Sequence, residues 1–185
     1  TQLSSSRNIQ IVVDGLPLTE RSVSAATERV EIALEELDDL VVNIGQQSHT
    51  SEHYWATEAE SITSGPYADV ALLERFDGIL DEVEITDGRA PLSSLERLDT
   101  HVVAEALVPM KRADQLGIGV GDEIWLTTKP GDLPYVMVRV VGLFAPEDVR
   151  DDFWLGLASE VLEPGRPAPE ARFRLPLFLT PEALF

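Results

Sequence analysis

Residues 101–148 read "HVVAEALVPMKRADQLGIGVGDEIWLTTKPGDLPYVMVRVVGLFAPED", and most of the fold is decided there. His101 to Ala104 predict a strand. Glu105 to Leu116 predict a helix interrupted or displaced by Pro109, whose ring has no N–H for an interior helical bond. "GIGVGDEIWLTT" reads as a turn feeding a strand, "KPGDLP" as a loop, and "YVMVRVVGLF" as a second strand with alternating character. That order makes an antiparallel pair. Gly117, Gly119 and Gly121 could be mistaken for a phosphate cradle, but a dinucleotide fingerprint needs its glycines after a strand and before a helix. Here the order is reversed.

On the N-terminal side, Ile11 to Val13 suggest a short strand and Asp14-Gly15 a turn. From Thr19, the residues Val23, Ala26, Val30, Leu34, Leu37 and Val41 recur at three- and four-residue steps, while Glu20, Arg21, Glu28, Arg29, Glu35, Glu36 and Asp38 take the other face. This pattern predicts an amphipathic helix. Such a stripe can bind a partner helix or a membrane surface, but packing on the domain's own sheet is the commoner use, and the acidic outer face argues against anionic lipid. "LVVNIG" (40–45) reads as a buried strand, Gln46 to Ser64 as a polar run, and "GPYADVALLERF" (65–76) as a second, less regular helix-like segment. Residues 79–89, "ILDEVEITDGR", predict a strand ending in an Asp87-Gly88 turn. On the C-terminal side, Ala158 to Ala171 read as a surface loop, "FRLPLFLT" as a final apolar strand, and Thr180 as the N-cap of a helix begun by Pro181.

Composition bounds the function. The 185 residues suffice for one domain, or for two small subdomains sharing an interface. Thirty-three acidic residues against 14 basic ones give a formal charge of -19, a field that repels nucleic acid phosphates and anionic lipid. There is no cysteine, which removes disulfides, thiolate metal sites and cysteine nucleophiles. No window approaches the ~20 apolar residues of a membrane-spanning helix. Both ends, at Thr1 and at "LTPEALF", read as cut, so the chain is expected to be a domain excised from a longer protein.

One pattern suggests chemistry. His49, Glu52 and His53 in "SHTSEHYWA" spell H-x-x-E-H, the inverted zinc-protease signature. A helix would bring the two imidazoles to one face and set Glu52 beside a metal-bound water. The flanks are not an apolar-periodic helix, however, and no spacing singles out a third ligand among Glu58, Glu60, Glu74 and His101. The segment is therefore expected to be a solvated loop or helix end. No Walker A pattern, no G-x-S-x-G elbow and no EF-hand spacing occurs, so no catalytic residue, cofactor or metal ligand is assigned. Trp125, Trp154 and Tyr135 are expected to serve as core or subdomain-interface residues. Phe153 and Trp154, in the "DDFWLG" loop, are expected to be partly exposed.

Three stretches, "ITDGRAP" (85–91), "VVAEALVPMKRADQLGIGVGDEIWL" (102–126) and "VRVVGLFAPEDVRDDFW" (138–154), together resemble the extracytoplasmic domain of MacB/FtsX-like ABC transporter permeases. The G-R-x-P segment of that family is similar to Gly88 to Pro91, its "eal A..LGl.vGD.i.l" segment to Glu105 to Leu126, and its "v.VvGif.p....d.yW" segment to Val138 to Trp154. The resemblance covers roughly residues 80–185. It implies an α+β fold, with a mixed helix/sheet, porter-like subdomain (1–85 plus 158–185) and a smaller β-rich one (86–157). It also implies a location outside the cytoplasm, tethering by membrane helices beyond this segment, no cofactor and no catalysis. The implied partners are an ABC ATPase subunit acting through the full-length permease, and a second protomer or an extracytoplasmic protein. Phe153, Trp154 and Arg166 are the candidate partner contacts. Ala113 to Thr127 also resemble the opening of double-psi-type barrels such as the molybdopterin dinucleotide-binding domain, which would imply a small barrel binding a pyrophosphate-containing cofactor.

Overall fold

A computed structural model of the chain describes residues 19–34, 46–56, 70–130, 132–154, 158, 162 and 174–184. Residues 1–44 and Phe185 form one compact unit, and residues 45–184 form another. The expected strands at 11–13 and 40–45 lie outside the described residues.

In the first unit, helix α1 spans Glu20–Leu34. Thr19 and Ser22 cap it reciprocally. The Ser22 N–H donates to Thr19 Oγ1 at 3.2 Å, and the Thr19 N–H donates to Ser22 Oγ at 3.1 Å. Val23, Ala26, Val30 and Leu34 are half-buried along one stripe, as the periodicity predicts.

The second unit is built on a nine-stranded sheet, and the fold is α+β. Its strands are β1 (Gln47–His49), β2 (His53–Ala56), β3 (Val70–Phe76), β4 (Val83–Gly88), β5 (Glu96–Arg97), β6 (Val102–Pro109), β7 (Glu123–Thr127), β8 (Val136–Pro146) and β9 (Arg174–Phe178). Helix α2 is Met110–Leu116 and helix α3 is Pro181–Leu184. β8 pairs with β7, β7 with β2, β2 with β3, β3 with β9, β9 with β6, and β6 pairs back to β8. Those six strands therefore form a closed ring. Two of its contacts are parallel, β3 with β9 and β6 with β8, and the others are antiparallel. Strands from both expected subdomains share this ring.

Alternate residues of each ring strand fill its interior. Ala71 and Leu73, Ala104, Ala106 and Val108, Ile124 and Leu126, Val136, Val138 and Val140, and Leu175 and Leu177 form one apolar cluster, with Trp55 of β2 packed against it. A second apolar cluster lies on the outer face, where Phe76, Leu107, Phe144 and Phe178 are covered by Ile79, Val83, Trp154, Ala158 and Leu162. β8 serves both clusters because its register against β6 shifts by one residue between Ala106 and Leu107. Val140 and Leu143 thus both lie in the interior cluster, three residues apart instead of two.

Several expectations are corrected. Val70–Phe76 is a strand, not part of a helix-like segment. Its Ala, Leu, Glu and Arg favour helix locally, but burial between neighbouring strands decides. Glu105 to Pro109 likewise extend β6, and the helix starts only at Met110, after Pro109. Gly117, at φ 68°, closes that helix in the left-handed conformation. Ala158 and Leu162 are buried, unlike a surface loop. The β7–β8 antiparallel pair and the final strand β9 form as the sequence predicts. The strand expected over 79–89 begins only at Val83, after a 3-10 turn at Ile79–Asp81, and Asp87 and Gly88 stay paired with β8 instead of forming a turn. Among the described residues, no helix is long and apolar enough to cross a membrane.

Candidate functional site

The histidine pattern lies on a bulged strand and not on a loop or helix end. β1 and β2 both run antiparallel to β3, with His49 opposite Glu74 and His53 opposite Ala71. Four steps on this strand match three on its partner, so one extra residue is accommodated around Thr50 to Glu52. The bulge sends the two rings to different environments. His49 is exposed, whereas His53 is 4% exposed.

Hydrogen bonds then fix what His53 can do. Its Nδ1 lies 2.8 Å from the Ser51 carbonyl, which only accepts, so Nδ1 carries the proton. Nε2 is left as the acceptor, and it takes the Tyr135 hydroxyl proton at 2.8 Å. Both ring nitrogens are therefore engaged. Burial holds the His53 pKa below its usual value against the opposing pull of the Ser51 carbonyl. Glu52, the would-be general base, is ion-paired with Arg174 at 2.9 Å. Two ligands on one face, a free Nε2 lone pair and an available carboxylate are what zinc needs, and the residues do not supply them. Among the described residues, no group of three or more His, Asp or Glu is placed to hold a metal ion. Glu58 and Glu60 lie outside the described residues. His101 packs edge-on to Trp125 with ring centroids 4.7 Å apart.

A different place gathers the chemistry-free motifs. Gly88, in β4, has φ 77° and sits so close to β8 that an added Cβ would lie 2.9 Å from Gly142 Cα. Gly142 is equally crowded. A Cβ there would stand 2.7 Å from Leu107 Cδ2 and 2.5 Å from the Arg89 carbonyl oxygen. The Arg89 N–H donates to the Val141 carbonyl at 2.9 Å. The Arg89 guanidinium forks onto Glu105 of β6 at 2.6 and 2.7 Å, and the Leu92 N–H adds a third bond to the same carboxylate at 2.9 Å. That guanidinium holds the Glu105 pKa below the ordinary carboxylate value, against the opposing effect of burial and with further help from the Leu92 N–H and Arg139.

The glycine loop docks on the same part of β8. The Gly121 N–H donates to the Val140 carbonyl at 2.8 Å, and the Val140 N–H returns a bond to the Asp122 carbonyl at 2.9 Å. The Asp122 carboxylate accepts the Gly119 N–H at 2.8 Å. The Gly117 and Ile118 amides bond back to α2. The loop's donors are thus spent on the fold, and a carboxylate stands where a phosphate cradle would need an anion. Residues 88–92, 105, 117–122 and 138–142 form one knot around β8.

The proposed contact residues fare unevenly. Trp154 is 1% exposed, correcting the expectation of partial exposure. A short 3-10 turn at Asp152–Trp154 tucks its ring over Phe76, and its Nε1–H donates to the Asp148 carbonyl at 3.1 Å. Phe153 is half-buried, with its ring 5.5 Å from Phe76. Arg166 lies outside the described residues. Trp125 is half-buried, and Tyr135 is 39% exposed while serving as the partner of His53.

Sequence reasoning missed the Arg89–Glu105 fork, the Gly88–Gly142 contact and the His53–Tyr135 bond. Of these, only Gly142 left a trace in the sequence. An isolated glycine in the alternating run "VVGLF" marks a bulge or a close backbone approach. Comparison with known families, curated proteins and solved structures returns no match to this chain.

Proposed function

We propose that this chain is a non-catalytic extracytoplasmic domain of a MacB/FtsX-like ABC transporter permease. Its role is mechanical. ATP-driven closure of the nucleotide-binding subunits moves the membrane helices, and this domain carries that movement to exported substrate or to a partner protein outside the cytoplasm. The observation that carries the reading is the knot around β8. Three stretches far apart in sequence, each bearing part of the family resemblance, meet there through Gly88, Arg89, Glu105, Gly121 and Gly142. A closed barrel tied by such a knot moves as a unit, which suits transmission of force. Phe153 is the retained candidate for a partner contact, and the acidic composition favours a partner presenting basic residues.

The parent gene tests this reading. One apolar run of ~20 residues before Thr1 and about three after Phe185 are expected, and the reading falls if neither flank carries any.

The closed six-strand ring favours a second reading, the cofactor-binding barrel. Against it stand the internally bonded amides of residues 117–119, 121 and 122 and the Asp122 carboxylate. Calorimetric titration with a pyrophosphate-containing dinucleotide separates the two readings, since only the barrel reading expects saturable binding.

A further inference from the structure

Glu74 is a carboxylic acid in the middle of β3 with 4% exposure, between β1 on one side and β9 on the other. Among the described residues the side chain makes one hydrogen bond, from Gln47 Nε2 of β1 at 3.3 Å, and no ion pair engages it. The groups that face it are few. β1 supplies Gln47 and His49, and α2 supplies the buried Arg112. β9 places Phe178 beside it, with its only charge, Arg174, paired to Glu52. On β3 itself, Arg75 is paired to Asp77. The one charged residue of α3, Glu182, is exposed.

A carboxylate that gives up water needs several donors or a close cation in return, and one amide is too little. Burial accordingly pushes the Glu74 carboxyl up to about 7, against the downward pull of Gln47, His49 and Arg112. The cheapest way to rehydrate the ionised acid is to move what covers it. β9 is anchored by the buried Leu175, Leu177 and Phe178. β1 is three residues long, and its flanking ties to β3 are the Thr50 N–H to the Leu73 carbonyl at 3.0 Å, the Leu73 N–H to Thr50 Oγ1 at 3.3 Å and the Asp77 N–H to the Gln46 carbonyl at 3.2 Å.

We propose that β1 is a proton-controlled flap over Glu74, seated while the acid is protonated and lifted when it ionises. This inference does not depend on the permease reading. In sign, the closed form holds the proton between the ordinary value of 4.5 and about 7, so opening becomes easier as pH rises through that window and levels off above it.

The test uses the full chain. Carbon-detected NMR titration should place the Glu74 carboxyl midpoint near neutrality. Amide exchange at Thr50 and Asp77, corrected for intrinsic rate, should gain about tenfold in opening per pH unit between about 5 and 7. Leu177 in β9 should not follow, and in Glu74→Gln the pH dependence at Thr50 and Asp77 should vanish. A Glu74 midpoint between about 4 and 5 would overturn the proposal. So would an unchanged pH dependence in Glu74→Gln, or loss of protection spread equally over β9. If Glu74→Gln does not fold, the titration and exchange on the unsubstituted chain decide alone.

Discussion

The bulged strand region of residues 46–56 and the segment of residues 88–92 are both short, and both carry a recognisable motif. In the first, the motif is H-x-x-E-H, and a bulge separates its histidines, while the polar atoms of His53 and Glu52 are bonded to neighbours that have no catalytic use. In the second, Gly88 and Arg89 dock onto β8 and β6 through close backbone contact and a forked ion pair. The difference lies in where the hydrogen-bond capacity goes. A motif means chemistry only if its lone pairs and protons remain available once the fold has taken its share.

Substitutions can break or sharpen this contrast. The largest effect is expected from Gly142→Ala, because the new methyl meets the Arg89 carbonyl, which is backbone and yields little. Overpacking of that kind costs about 1–3 kcal/mol, and this site should lie at the upper end, read as a lowered denaturant midpoint. A cost below about 0.5 kcal/mol would mean that the knot around β8 is loose.

His53→Phe comes next. Losing the bonds to Ser51 and Tyr135 should cost about 1–3 kcal/mol. The pH profile adds a sharper readout. Because the folded pKa lies below 6.5, the unfolded chain binds more protons beneath that value. Stability is therefore intact above pH 6.5 and lost as pH falls below it, and the variant should lack that share of the slope. Glu74 acts in the opposite sense across the overlapping window, so the two substitutions should tilt the profile in opposite directions.

Glu105→Gln should have a smaller effect, since its partner Arg89 is half in solvent. Its folded pKa is depressed, so the contribution is present above the ordinary value of 4.5 and disappears as pH falls further. High salt should shrink the difference from the unsubstituted chain, and a salt-independent loss would point to packing rather than charge. The smallest effect belongs to His49→Ala, within about 0.5 kcal/mol, with added zinc leaving the melting temperature of either protein unchanged.

Much of the fold was legible wherever pattern and burial agree. β7 and β8 are rich in β-branched and aromatic residues, Gly117 stops α2, and Pro181 starts α3, each for a local reason. β3 was not legible, because a strand buried on both faces shows no alternation and "VALLERF" is built from good helix formers. Closure of the ring was equally hidden. It rests on β6 meeting both β8 and β9, and the contact with β9 is a single pair, Leu107 with Phe178. The site followed the same rule. Types and spacings exposed the histidine pattern, but only tertiary contacts reveal that Tyr135, 82 residues away, occupies the lone pair of His53.

Extracytoplasmic location is the claim on which the functional account turns, and the cysteine-free chain makes it directly measurable. Leu133 is 72% exposed, so Leu133→Cys in the full-length parent offers a single new thiol on the surface of this domain. A membrane-impermeant maleimide added to intact cells with an opened outer envelope should label it fully. Labelling that appears only after the cytoplasmic membrane is lysed would contradict the account.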